Sequence, residues 1–178
     1  MTGKGSVNHN SRKFHAKNTD PERSCLNVEY CNENIKDVYH ELFDEALERY
    51  NAKQIRSDRK IKDYYEKIRS SKQEKPFHEI ILQVGGKGNM NADTENGELA
   101  KQILDEYYQG FQERNPQLRV FSAHLHMDEA TPHLHIDFVP FTTGSKRGLD
   151  TRVSLKQALA AQGFKGGSRG DTEWNQWV

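Results

Sequence analysis

Residues 120–139 read VFSAHLHMDEATPHLHIDFV, and they restrict the fold more than any other part of this 178-residue chain. In 120–126, Phe121, Ala123 and Leu125 alternate with Val120, Ser122, His124 and His126. In 133–139, Leu134, Ile136 and Phe138 alternate with His133, His135, Asp137 and Val139. A period of two is the spacing of a strand, where successive side chains point to opposite faces. The intervening MDEATP supplies a turn. Placing His126 opposite His133 makes Leu125 meet Leu134, Ala123 meet Ile136 and Phe121 meet Phe138, and puts every histidine on the other face. The pattern predicts an antiparallel hairpin, apolar on one side and rich in imidazole on the other.

Four of the eight histidines lie within positions 124–135. His133 and His135 project the same way from one strand, and His126 joins them from the next. Three neutral imidazoles without a strong fourth ligand make an open metal site, the kind that does chemistry. The alternative is a set of satisfied core or surface histidines; a single His-x-His would not outweigh it, but three on one face followed by Asp137 do. His124 shares the face, as a fourth ligand or, better, as a neighbour lining the site. Asp137 could orient a histidine from behind, or be a strand-face carboxylate in water. Asp128 and Glu129 sit in the turn, where acids are usually solvated; beside a metal one of them could be a general base. By ligand type, three imidazoles suit zinc, nickel, copper or iron.

Elsewhere the sequence is plainer. Residues 1–20 read as loop and CLNVEY (25–30) as a short strand. Ile35, Val38, Tyr39, Leu42, Phe43, Ala46, Leu47 and Tyr50 follow helical spacing. Ile61, Tyr64, Tyr65 and Ile68 carry helical spacing through a basic stretch that ends at Pro76. FHEIILQVG (77–85) reads as a strand, and Leu99, Ile103, Leu104, Tyr107 and Phe111 as a helix stopped near 115–116. A last helix is expected from Ser154, where SLKQ has the capping-box pattern. GFKGGSRG reads as flexible, and TEWNQWV (172–178) as the apolar start of a further helix or a truncated linker.

The two cysteines, Cys25 and Cys31, are too few for a disulfide framework, and no run is apolar enough for a membrane span or a signal peptide. A cytoplasmic protein is the expectation. Net charge is zero but unevenly laid out: residues 53–75 carry nine Lys/Arg against four acids, and 145–170 six against one. Zero net charge therefore does not exclude a polyanionic partner, although each run alone also reads as a solvated face. Arg56, Arg59, Lys60 and Lys62, with Lys146 and Arg147, are the candidate contacts to such a polyanion. Tyr64 and Tyr65 could stack on bases, but they also fit the apolar stripe, which is the better reading. GGKG (85–88) is taken as a turn.

PHLHID contains the histidine–apolar–histidine element of endonucleases that nick single-stranded DNA. HLHMDEATPHLHIDFVPF (124–141) closely resembles the metal-binding motif of the MobV group of plasmid mobilisation relaxases, the Mob/Pre plasmid recombination family within the HUH endonucleases. NHNSRKFHAKNTDPERSCLNVEY (8–30) resembles that family's N-terminal motif: His-Asn-x-Arg, then Asn, Asp-Pro-x-Arg-Ser and Leu-Asn. The two lie in the family's order and cover roughly a quarter of the chain. The resemblance implies an α+β, HUH relaxase-like fold: a central antiparallel sheet with helices on one face and the metal site on the other. It implies a relaxase domain over 1–165, with 166–178 beginning a C-terminal helix or linker. It implies nicking of single-stranded or hairpin DNA at a plasmid transfer origin, with covalent capture of the 5′ phosphate. By matched position, His126, His133 and His135 would bind the metal, His9 would be the nucleophile, Arg12 would contact the scissile phosphate, and Glu129 would assist proton transfer. It favours Mn2+, with Mg2+ or Zn2+ as alternatives; phosphate and water can supply the oxygens manganese prefers.

The match has departures. Val28 stands where some members carry a tyrosine, which favours His9, while Tyr30 keeps a tyrosine nucleophile open. The chain begins eight residues before His9, so a first strand of the family is expected to be missing and the His9 loop poorly held; the family's C-terminal oligomerisation region is expected to be missing too. Competing readings are a replication-type tyrosine nickase using Tyr30, a three-histidine metallohydrolase in which Glu129 activates water, and a non-catalytic DNA-binding module.

Overall fold

The computed structural model describes residues 6–178. In chain order the elements are α1 (Val7–Asn10), β1 (Val28–Asn32), α2 (Ile35–Ala52), α3 (Tyr64–Arg69), β2 (His78–Gln83), α4 (Glu95–Gln109), α5 (Phe111–Arg114), β3 (Leu118–His126), β4 (His133–Thr142), β5 (Arg152–Val153), α6 (Leu155–Ala161) and α7 (Glu173–Trp177), with single 3-10 turns at Pro21–Leu26 and Ser57–Arg59. The strands form an antiparallel sheet ordered β1-β3-β4-β2, with β5 joined to β4. The described residues divide into two compact units, 6–33, 78–114 and 120–138 in one, and 34–77, 115–119 and 139–178 in the other.

The first unit is built on the predicted hairpin. β3 and β4 are neighbours, and β1 and β2 flank them. The register sets Val28 against Leu125 and Glu29 against His124, and Glu79, Ile81 and Gln83 against Asp137, His135 and His133. Ala123, Leu125, Leu134, Ile136, Phe138 and Ile80 are buried with Ala100 and Leu104 of α4 and Phe111 of α5. The Phe111 and Phe138 rings lie 6.3 Å apart. Burying Leu125, Leu134, Ile136 and Phe138 is worth about 1.5–3 kcal/mol each, an upper figure. A one-residue slip would forfeit all four and drive histidines into the apolar layer. The helices therefore fix which face the histidines must take.

The second unit carries α2, whose buried face is Val38, Tyr39, Phe43 and Ala46, as its spacing predicts. Phe43 packs edge-on against Tyr39 and Tyr64, with centroids 5.1 and 5.0 Å apart. Tyr64 is core, as expected, and its hydroxyl accepts from Val153 N. The helix expected over the whole basic stretch is only α3. Asp63 caps its start by accepting from Glu66 N, and after Ile68 no apolar residue continues the stripe. Ser154 caps α6 as predicted.

Two N-terminal expectations change. The stretch to residue 20 holds α1, which is too short to show periodicity and is started by Ser6, whose Oγ accepts from His9 N. The expected strand at 25–30 begins only at Val28, because Asp20 and Pro21 start a 3-10 turn over Pro21–Leu26.

Candidate metal centre

His126, His133 and His135 converge on the face opposite the apolar core, with ring centroids 4.9–5.1 Å apart. All three are buried. Each ring commits one nitrogen to a fixed acceptor. His133 Nδ1 donates to Thr131 O at 2.9 Å, His135 Nδ1 to Glu79 Oε1 at 2.8 Å, and His126 Nε2 to the Asn10 carbonyl at 2.8 Å. The other nitrogens are then lone pairs. His126 Nδ1 and His133 Nε2 face each other at 3.3 Å, and His135 Nε2 is buried without a partner among the described residues. Burial disfavours the proton on two of these rings: it pushes His126 down to about 3 and His133 below its usual value. The facing lone pairs of His126 and His133 repel unless a cation lies between them, which fits a divalent metal; the donor atoms of all three rings do not gather within 4.8 Å as a single set.

Among the described residues, two sets of donor atoms gather within 4.8 Å: His126, Glu129 and His133, and His9, His126 and His135. His126 is common to both, so Glu129 and His9 border the same centre. His124 belongs to neither set. It is buried, with Nδ1 3.8 Å from Glu29 Oε2 and Nε2 unpartnered.

The N-terminal segment lies on this face. Asn10 is 1% exposed; its Nδ2 donates to Glu79 Oε1 at 2.8 Å and Asp137 Oδ2 at 3.0 Å while its carbonyl holds His126. Its neighbour His9 is thereby brought to 6.0 and 6.1 Å, centroid to centroid, from His126 and His135. Arg12 follows with a left-handed backbone, φ 52°. Its Nε and Nη2 donate to Asp128, Nη2 also donates to Glu129 Oε1 at 2.9 Å, and Nη1 donates to His9 Nε2 at 3.2 Å. Arginine has no lone pair to offer, so His9 Nε2 is the acceptor. Burial and then the Arg12 charge keep the His9 ring below its ordinary pKa, hence neutral. The His9 loop, expected to be poorly held, is fastened at both of these points.

Asp128 corrects the expectation of a solvated turn acid. It is fully buried and accepts from Arg12, Ser24 Oγ at 2.9 Å and Asn27 Nδ2 at 2.7 Å. Burial alone would raise its pKa; the hydrogen bonds from Arg12, Asn27 and Ser24 outweigh that and hold the carboxyl well below the usual range. Asn27 Oδ1 accepts from Met127 N and Asp128 N, and Arg23 Nη2 donates to the Glu129 carbonyl. Both sequence motifs thus meet at one turn.

The profile of the plasmid recombination enzyme family, Mob_Pre, matches residues 2–163. The chain belongs to the plasmid recombination enzyme family. Two crystal structures of a family relaxase domain are similar to it, both with manganese and bound to the origin DNA of plasmid pMV158. The MobM relaxase domain with a 22-nucleotide DNA at pH 5.5 is 22% identical, with 88% of this chain and 73% of that one covered and a TM-score of 0.52. The same domain with a 3′-thiophosphate DNA at pH 6.8 is 24% identical, with 85% and 67% covered and a TM-score of 0.48. The first carries the likeness of fold. No curated protein matches the chain.

Two further residues of this family member's site escape sequence reading. Glu79 is the carboxylate behind His135, a role that Asp137 does not fill. Burial pushes Glu79 up, but the hydrogen bonds from His135 and Asn10 outweigh it and hold it down. Burial, and then the charge of Glu79, pushes Asp137 up to about 7. The signal for Glu79 is its strand parity: it faces away from the apolar Ile80 and pairs with Asp137. The other is Asn10, described above.

Tyr30 is placed elsewhere. Its hydroxyl donates to Asp105 Oδ1 at 2.7 Å and its ring stacks on Tyr108 at 4.1 Å, so it faces α4. Of the basic candidates, Arg56 pairs with Asp58 at 2.7 Å, while Arg59, Lys60, Lys62, Lys146 and Arg147 are exposed. No helix among the described residues is long and apolar enough to cross a membrane.

Proposed function

We propose that this protein is a metal-dependent relaxase that nicks one strand at a plasmid transfer origin, with His9 as the nucleophile. The observation that carries the reading is His9 itself: a neutral imidazole, lone pair outward from the ring at Nε2, seated beside two of three metal-fitting histidines. His126, His133 and His135 would hold the metal, Mn2+ when substrate oxygens complete its shell. When bound, the metal supplies Lewis-acid polarisation of a phosphate oxygen.

The rest falls to the chain's own groups. Arg12 turns one N–H, at Nη1, toward the position the scissile phosphate would take, since Nε and Nη2 are committed to Asp128 and Glu129. A phosphate oxygen accepting from Nη1 would release the His9 lone pair. His9 Nε2 then attacks phosphorus, a P–N bond forms, and the P–O3′ bond breaks. As the P–N bond forms, the His9 ring gives up its Nδ1 proton and the departing 3′ oxygen gains one; Glu129, 3.6 Å from His9 Nε2, is the carboxylate placed to relay a proton at this site. The 5′ phosphate stays on His9 as a phosphoramidate, competent to be rejoined. The exposed Arg59, Lys60, Lys62, Lys146 and Arg147, with Arg56, would grip the backbone of single-stranded or hairpin origin DNA. We take 1–165 as the relaxase domain, 166–178 as the beginning of a C-terminal helix or linker, and the cytoplasm, where a plasmid resides, as the place of action.

A second reading has one observation behind it: the donor atoms of His9, His126 and His135 also cluster. His9 would then be a ligand, and Glu129 would activate water in a metallohydrolase. Covalent capture separates the two. With manganese and single-stranded oligonucleotides, a covalent adduct is expected on a denaturing gel. It should be acid-labile, because protonating the nitrogen of a P–N bond makes it a good leaving group. It should be absent in His9→Ala and retained in Tyr30→Phe. An acid-stable adduct lost in Tyr30→Phe would transfer the role to Tyr30, and cleavage without any adduct would favour the hydrolase.

A further inference from the structure

Beside the metal centre, on the β1 side, lies a cavity of about 180 Å3 whose walls include Ser11, Arg12, Asn27, Val28, Glu29 and His124. Asn10, Ser24 and His126 complete the wall, so the cavity adjoins the metal centre, and of its lining Arg12 and His126 take a direct part in the nicking chemistry. The cavity is smaller than the roughly 300–1,000 Å3 that encloses a drug-sized ligand, and it suits one planar ring system. We propose that this cavity receives a single nucleobase next to the scissile phosphate and selects one that carries an exocyclic amino group. The proposal rests on the reading of the protein as a DNA-nicking enzyme and adds a base preference to it.

His124 is the deciding residue. It is 4% exposed, and its Nε2 is buried with no hydrogen-bond partner among the described residues. A buried polar atom without a partner is costly unless something supplies one. Its Nδ1 faces the Glu29 carboxylate at 3.8 Å. That negative charge favours the tautomer with the proton on Nδ1, which leaves Nε2 an acceptor. Glu29 adds carboxylate oxygens, with Asn32 Nδ2 donating to one of them at 3.1 Å.

Other polar groups in the wall are already engaged. Ser11 Oγ donates to Val7 O, Ser24 Oγ to Asp128, and both ends of the Asn27 amide are bonded. The cavity therefore offers acceptors. Cytosine and adenine bring an amino group with two N–H donors, and guanine brings an amino group beside a ring N–H. Thymine offers one N–H between two carbonyl oxygens, which would face the lone pairs of His124 and Glu29. Position supports a base rather than a free small molecule, because Arg12, proposed for the scissile phosphate, forms part of the same wall.

The test is fluorescence anisotropy on the whole chain with labelled oligo(dC), oligo(dA) and oligo(dT) of about twelve nucleotides, within the usual span of a single-strand groove. Oligo(dC) and oligo(dA) are expected to bind about tenfold tighter than oligo(dT), the scale of one well-made polar base contact. His124→Phe keeps a ring but removes Nε2. It should bring oligo(dC) to the oligo(dT) level and leave oligo(dT) unchanged. Glu29→Gln, at a more exposed position, should narrow the preference, because it removes carboxylate acceptors and the charge that holds the His124 proton on Nδ1. Equal binding of all three oligonucleotides by the wild type, or a preference that survives His124→Phe, overturns the cavity assignment while DNA binding stands. Failure to bind any of the three overturns the cavity assignment, and the DNA-nicking reading falls only if the covalent adduct is absent as well.

Discussion

Asp128→Asn is the most direct test of how the two motifs are joined. The side chain is fully buried and accepts from Arg12 through both oxygens, and from Ser24 and Asn27. Charge-assisted hydrogen bonds are each worth about 1.5–3 kcal/mol, but members of one network do not add. The applicable figure is that for breaking a buried ion pair from one side, about 3–5 kcal/mol. Asparagine matches the shape, so no cavity contributes; its amide must turn a donor toward a group that is itself a donor. The sign with pH follows from the lowered carboxyl. The native-state pKa lies below the ordinary 3.8, so the charge contributes fully above that value and its contribution is lost as pH falls through the native pKa. Urea unfolding of wild type and Asp128→Asn should therefore differ by about 3–5 kcal/mol from neutral pH down to about pH 5, and the gap should close as the pH falls below about 4. Carboxylates common to both proteins cancel in the difference. A gap under about 1 kcal/mol at neutral pH, the scale of an exposed pair, or one that does not shrink in acid, would refute the buried anchor.

The remaining expectations are simpler. His133→Ala should lose the bound divalent ion, read by metal analysis, while circular dichroism stays native because the core lies on the other face; stoichiometric metal retained by the variant would remove His133 from the ligand set. Arg59→Ala with Lys62→Ala should flatten the dependence of log K on log salt by about 0.7 for each phosphate the protein no longer neutralises; an unchanged slope would place the DNA on another surface.

The hairpin is legible in the sequence because two independent patterns agree: one register aligns the apolar residues and the histidines together, and that register must hold for either face to work. Helix α2 is legible because Val38, Tyr39, Phe43 and Ala46 repeat over several turns. Helix α3 is shorter than its sequence suggests because lysines and serines do not oppose a helix locally, and its end depends on where the apolar contacts stop. The Asp128 anchor is not legible, since an acid in a turn is ordinarily wet. Its burial depends on Arg12, Ser24 and Asn27, roughly a hundred residues away in sequence. Glu79 lies in an unremarkable strand, and only the pairing of β2 with β4 brings it behind His135. Local pattern identifies faces; which distant group meets a face is decided by sheet order.

The anchor explains why residues as different as Arg12, Ser24 and Asn27 belong to one device. A neutral His9 beside a metal centre needs a cation nearby to meet phosphate, yet a mobile guanidinium would reach for any anion. Asp128 and Glu129 fix Arg12 by two of its nitrogens, and its left-handed backbone turns the third toward His9. The guanidinium keeps its position while its net charge is offset by the two carboxylates, so the site does not become a general anion trap. What remains is one directed N–H that caps the His9 lone pair at 3.2 Å. On the proposed mechanism, a phosphate seated between them would exchange that hydrogen bond for its own and free the His9 lone pair only when the target is in place. Selectivity for the seated substrate then rests on geometry fixed by the hairpin turn rather than on charge alone.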